Sequence, residues 1–125
     1  MEGGRKTKIL IVEDNEGLAW VLQEMLEAEG FEIRSASDGR DGYLTYLMFK
    51  PDLVITDLHM PGENGLELIR NIRMHDPEVK VIYMSGDIHR FWKLLEEEIA
   101  RYHVACLEKP FSKVDLMKLL SVSLT

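Results

Sequence analysis

"DLVITDLHMPGENG", residues 52–65, holds the element on which the fold turns. Leu53, Val54, Ile55 and Thr56 make the kind of apolar, β-branched run that is buried on both faces of a parallel sheet, and the run delivers the chain to Asp57 just ahead of a Pro-Gly break. A buried strand that ends on a carboxylate needs a partner for that charge. Three more runs, "KILIV" (8–12), "VKVIYM" (79–84) and "HVACL" (103–107), read as inner strands in the same way. Between them apolar residues recur at helical spacing: Leu18, Val21, Leu22, Met25 and Leu26; Leu66, Leu68, Ile69 and Ile72; Ile88, Trp92, Leu95 and Ile99; Leu116, Met117, Leu119 and Leu120. "FEIRSA" (31–36) alternates apolar with charged residues, the pattern of a half-exposed edge strand, and "DGRDGYLTYLMF" after it reads as a weaker helix containing Gly42. Five strands alternating with five helices predict right-handed βαβ crossovers and an α/β doubly wound five-stranded parallel sheet.

Composition narrows the function. A chain of 125 residues with 46% hydrophobic content has the material for one core and is not a disordered segment. The last helix runs almost to Thr125, so 1–125 reads as a single complete domain, with residues 1–6 expected to be mobile. With 22 acidic against 15 basic side chains the formal charge is -7, which argues against direct contact with nucleic acid or an anionic membrane surface. "MEGGRKTK" lacks an apolar stretch behind its basic residues, and Ile9 to Val12 is far too short to span a bilayer. Cys106 is the only cysteine, which excludes an internal disulfide and makes the cytoplasm the expected compartment.

The strand ends carry the chemistry. Glu13 and Asp14 follow the first strand, Asp57 the third, Ser85 the fourth and Lys109 the fifth. Open parallel sheets bind ligands outside the carboxyl ends of their strands, so these groups are expected to converge. Three carboxylates in one pocket repel one another unless a cation sits among them, and hard oxygen ligands without cysteine or paired histidine point to Mg²⁺.

Taken together and in this order, "VEDN", "DLVITDLHMPGENG", "MSG" and "LEKPF" resemble the receiver domain of two-component response regulators, over nearly the whole chain. The resemblance implies a chemotaxis-regulator-like, flavodoxin-like (βα)5 fold with strand order 2-1-3-4-5. It implies that Asp57 accepts a phosphoryl group from a sensor histidine kinase or histidine phosphotransfer protein. Asp14, Asp57 and the backbone carbonyl of His59 would then hold Mg²⁺, with Glu13 acting through water. Lys109 would face the phosphate oxygens, Ser85 would sense them, and Pro110 would follow Lys109 through a cis peptide. The domain is thus expected to be a signalling switch rather than a metabolic enzyme, catalysing only its own Mg²⁺-dependent phosphorylation and slow dephosphorylation. Partner binding would change through the face formed by helix 4, strand 5 and helix 5. The output protein is not named by the sequence, and homodimerisation stays open.

Each residue also has a plainer reading. Asp14 or Asn15 can cap the following helix as well as serve a metal. Glu96, Glu97 and Glu98 read as a solvated helix face, Trp20 falls off the apolar stripe of its helix and is expected to be exposed, and the four histidines show no zinc spacing. "GGRKT" precedes the first strand, unlike a phosphate loop. A haloacid-dehalogenase-like phosphatase would also use a strand-end Asp and Mg²⁺, but needs a second Asp where His59 stands; a degenerate receiver would lack some of the acid and lysine set. Two departures from the family pattern concern switching. Cys106 replaces the usual Tyr or Phe, and the segment from Ser85 to Lys109 is longer than typical, with Gly86 where a small Ala is common. Signal is therefore expected to leave through Ser85 and Gly86 instead of a swinging aromatic at position 106.

Overall fold

The strand β1 (Lys8–Val12) lies between β2 (Glu32–Ala36) and β3 (Leu53–Asp57), and β4 (Val81–Ser85) and β5 (Val104–Glu108) extend the sheet beyond β3. All four pairings are parallel, giving the order β2-β1-β3-β4-β5. The computed structural model describes residues 4–60 and 62–125; the expectation of a mobile segment over residues 1–6 falls partly outside that range. Within it, Arg5 grips Asp52 through two hydrogen bonds of 2.7 and 2.9 Å, and Asp52 also accepts the Lys8 amide at 2.8 Å. The carboxylate that opens the quoted stretch thus ties the start of β1 to the start of β3.

Side chains alternate strictly across the inner strands, and this divides the core in two. Ile9, Ile11, Ile55, Ile82 and Met84 point to one face, where α1 (Glu16–Ala28) covers them with Leu22 and Leu26, and α5 (Lys113–Ser123) with Leu116 and Leu120. Leu10, Val12, Val54, Val81 and Tyr83 point to the other face, under α2 (Gly39–Phe49), α3 (Gly65–Arg73) and α4 (Trp92–Arg101). Gly42 suits α2 because a Cβ there would stand 3.0 Å from Val12, closer than the packing tolerates without adjustment.

The structure corrects several details of the sequence reading. Asp57 and Ser85 are the last residues of β3 and β4, not the first residues beyond them. β5 is the second edge strand, as the order 2-1-3-4-5 implies and against the inner-strand reading of its apolar run: it pairs with β4 alone, and only its Leu107 is buried. Strand order decides which strands are edges, and an apolar run does not encode strand order. On α1, Val21 is 46% exposed, and on α4 only Leu95 of the apolar set is buried, with Trp92 and Ile99 each 45% exposed. α4 covers a sheet edge, so one apolar contact and a polar tether hold it in place of a broad stripe.

The helix starts aim the loops. Asn15 caps α1, Asn64 caps α3 in a reciprocal box with Glu67, and Ser112 caps α5 in another with Asp115. Gly65, the first residue of α3, donates its N–H to Leu58 at 3.2 Å, and a Cβ on it would collide with the Asp57 carbonyl. This close approach seats α3 directly against the end of β3. Gly65→Ala is therefore expected to lower stability by about 1–3 kcal/mol, as overpacking does. The check is urea unfolding, with the midpoint falling and the slope unchanged.

Candidate functional site

Three carboxylates gather at the carboxyl ends of β1 and β3. Glu13, Asp14 and Asp57 each offer an oxygen, and these lie within 4.8 Å of one another. Glu13 and Asp57 are buried, at 2% and 7% exposure, while Asp14 is open to solvent. Asn15 performs the capping, its side chain accepting from the Leu18 amide at 3.0 Å, so Asp14 has no role at the helix start and its carboxylate makes no side-chain hydrogen bond among the described residues.

Lys109 is the counter-ion. Its Nζ donates to Glu13 Oε1 at 2.6 Å and to Asp57 Oδ2 at 3.0 Å. The Lys109 amide donates to the Ser85 carbonyl at 2.8 Å, which fixes the point where the lysine leaves β5, and the Lys109–Pro110 peptide is cis, as the resemblance implied. Burial raises the Glu13 pKa, with the nearby Asp57 adding to the rise and the bond from Lys109 opposing it. Burial alone would lower the Lys109 pKa, but its bonds to Glu13 and Asp57 outweigh that and hold it above the ordinary lysine value. The remaining Asp57 oxygen accepts the His59 amide at 3.1 Å, and Asn15 donates its amide to Glu13 Oε2 at 3.1 Å. Three carboxylates against one ammonium leave two negative charges formally unmatched. Such an all-oxygen cluster fits a hard divalent cation of the Mg²⁺ class.

A cleft of about 270 Å³ opens over Asp57, walled by His59, Ser85, Gly86, Asp87, Arg90, Phe91 and Lys109. Ser85 is 3% exposed, and its Oγ accepts the Asp87 amide at 2.9 Å, leaving the hydroxyl hydrogen free to donate. Nothing lies within 4 Å of where a Cβ on Gly86 would sit. Arg90 and Phe91, on the 3₁₀ turn Ile88–Phe91 before α4, are not singled out by the sequence, whose only signal here is the length of the whole segment from Ser85 to Lys109.

The sequence reading also missed the tether under α4. Tyr83, fully buried on β4, donates its hydroxyl to Glu98 Oε1 at 2.8 Å, and Arg73 from α3 donates to Glu98 Oε2 at 2.9 Å. The Arg73 guanidinium lies 3.5 Å from the centre of the Tyr102 ring. Glu98 is therefore not part of a solvated face: its side chain is 12% exposed, whereas Glu96 and Glu97 do face solvent. Cys106 is the register partner of Tyr83 and is half-buried; burial, with Glu98 adding, pushes its thiol up to about 11. Trp20 is 63% exposed, as its position off the stripe predicted.

Residues 9–121 match the response regulator receiver domain family. The transcriptional regulatory protein RprY of Bacteroides fragilis is 31% identical over 115 residues, covering 89% of this chain and 46% of that protein. Protein CcdB of Bacillus subtilis is 30% identical over 116 residues, covering 92% of this chain and 95% of that protein. Among solved structures, a receiver domain protein from Clostridium thermocellum superposes with a TM-score of 0.83 at 26% identity, over 94% of each chain. The chain spans about half the length of the transcriptional regulators it matches, 46% in the case of RprY and 43% in the case of PhoP from Bacillus subtilis. Among the described residues no helix is long and apolar enough to cross a membrane.

The tether can be measured by itself. Tyr83→Phe keeps the ring and its packing but takes one donor from the buried Glu98, and is expected to cost about 1–2 kcal/mol. Chemical denaturation of this variant, beside the parent, checks it.

Proposed function

The chain belongs to the response regulator receiver domain family of two-component systems, and from that premise we propose that Asp57 is its phosphoacceptor. The observation that carries the reading is the Lys109 ammonium bonded at once to Glu13 and Asp57 beside an open acid cluster. The donor is a phosphohistidine on a sensor histidine kinase or a histidine phosphotransfer protein, met in the cytoplasm. An ionised carboxylate needs no base to remove a proton, so the work of the site is placement and charge neutralisation. One Asp57 oxygen forms the new P–O bond as the bond to the donor breaks. Asp57 Oδ1 is oriented by the His59 amide, and Lys109 holds its ammonium where phosphate oxygens arrive. Glu13, Asp14, Asp57 and the His59 carbonyl would hold Mg²⁺, which supplies neutralising charge when bound. A phosphatase of the haloacid dehalogenase type is disfavoured by His59, which stands where that chemistry needs an acid.

Treatment with acetyl phosphate and Mg²⁺ followed by intact-mass measurement tests this reading. A single phosphoryl adduct is expected, absent in Asp57→Asn and without Mg²⁺, and much reduced in Asp14→Ala. A hydroxylamine-sensitive label persisting in Asp57→Asn would overturn it.

The same reading sends the signal through Ser85 and the loop at Gly86 to α4, and from there to the face built by α4, β5 and α5. α4 exposes Trp92 and Ile99 and α5 exposes Val114 and Val122, apolar surface suited to a partner protein or a second copy of the chain. Ser85 Oγ holds the Asp87 amide, so drawing the hydroxyl toward a phosphoryl oxygen pulls directly on the loop. Cys106 has one χ1 torsion and no ring to swing. Hydrogen exchange over residues 86–100, with and without beryllofluoride, is expected to change in the parent and in Cys106→Ala but not in Ser85→Ala. The opposite pattern would put the switch at position 106.

A further inference from the structure

We infer that Arg90 is a second phosphate-contacting cation of this site, supplied by the 3₁₀ turn between β4 and α4; the inference rests on the assignment of Asp57 as phosphoacceptor. Arg90 walls the cleft over Asp57 together with Ser85 and Lys109. The 3₁₀ turn that carries it is anchored: Ile88 and Phe91, three residues apart and hence on one side of such a turn, both pack against the core. That anchoring leaves the intervening His89 and Arg90 facing outward, and both are exposed. The guanidinium carbon lies 5.7 Å from the centre of the Phe91 ring. Among the described residues the Arg90 side chain makes no hydrogen bond or ion pair, even though Asp87 stands at the start of the same turn and walls the same cleft. Its donors are therefore uncommitted.

A charge count says what they would serve. With a divalent cation among Glu13, Asp14 and Asp57, and with Lys109 in place, the charges of these groups balance, Asp87 at the cleft wall aside. In the transfer, an Asp57 oxygen bonds to phosphorus while the donor's bond to phosphorus breaks, P–O in acetyl phosphate or P–N in phosphohistidine, and its electron pair leaves with acetate or imidazole. One carboxylate charge is thereby exchanged for about two on the acyl phosphate, leaving one negative charge unmatched. A guanidinium presents several N–H groups in a fixed fork suited to phosphate oxygens, which an ammonium does not. Arg90 would thus engage only once phosphate has arrived, and with it the 3₁₀ turn that leads into α4.

The test compares the parent with Arg90→Gln, Arg90→Lys and Arg101→Gln, the last removing the same charge from the far end of α4. Two readouts are taken with Mg²⁺ present: affinity for beryllofluoride by calorimetry, and the rate of adduct formation from acetyl phosphate by intact mass. Arg90→Gln is expected to weaken beryllofluoride binding and slow labelling about three- to tenfold, since the hydrogen bond is charge-assisted but exposed. Arg90→Lys should recover part of the loss, Arg101→Gln should match the parent, and melting temperatures should agree. Equal values for Arg90→Gln and the parent, or equal losses in Arg90→Gln and Arg101→Gln, would overturn the inference. If the parent itself takes no label, the failure lies with Asp57 as phosphoacceptor and shows at that step.

Discussion

The ammonium of Lys109 between Glu13 and Asp57 is the interaction on which the arrangement of this protein depends. Two buried carboxylates side by side, with a third at the rim, would strongly destabilise the carboxyl edge of the sheet if they stood alone. Lys109 makes them tolerable, and it arrives from a strand that is not adjacent to either acid. Its position is set from behind, by the hydrogen bond its amide N–H donates to the Ser85 carbonyl, which locks the end of β5 to the end of β4. Closing this ion pair therefore requires β1, β3, β4 and β5 in their observed order, so the site and the topology constrain each other.

The compensation is incomplete, and that incompleteness is what makes the pocket chemically useful. A fully neutralised cluster would be a structural ion pair with no affinity for a further charge. Here Glu13 carries a raised pKa despite its 2.6 Å bond to Lys109, a sign that burial and the neighbouring Asp57 still press on it. Asp14 stays open to solvent because Asn15 takes over the capping of α1. A chain that capped with Asp14 would have spent that carboxylate on the helix.

Much of this was legible in the sequence because the informative residues sit at strand ends, where apolar runs stop abruptly. Glu13, Asp14, Asp57, Ser85 and Lys109 were marked by those stops, and the structure gathers them at one edge of the sheet. The two inner layers followed from the apolar runs alone. What escaped was decided by contacts between distant segments. Glu98 looked like one of three solvated acids because helical spacing cannot reveal that Tyr83 and Arg73 converge on it. β5 reads as an inner strand by composition, and it is the order 2-1-3-4-5 implied by the family resemblance, matched by the observed pairing, that places it at the edge.

The tether at Glu98 also bears on why Cys106 can stand where an aromatic is usual in the family. Tyr83 on the adjacent strand is the register partner of position 106, and both pack against the side of the sheet that α4 covers. The space beneath α4 is thus already filled by a ring from β4, held by its hydroxyl to the helix itself. A second large ring at position 106 would compete for that volume, and core packing leaves little slack for it. A small half-buried thiol does not compete. Tyr83 is fully enclosed and its hydroxyl is committed to α4. A ring so held anchors the helix at one end, while at the other Ser85 holds the Asp87 amide and the turn from Ile88 to Phe91 joins the strand to the helix.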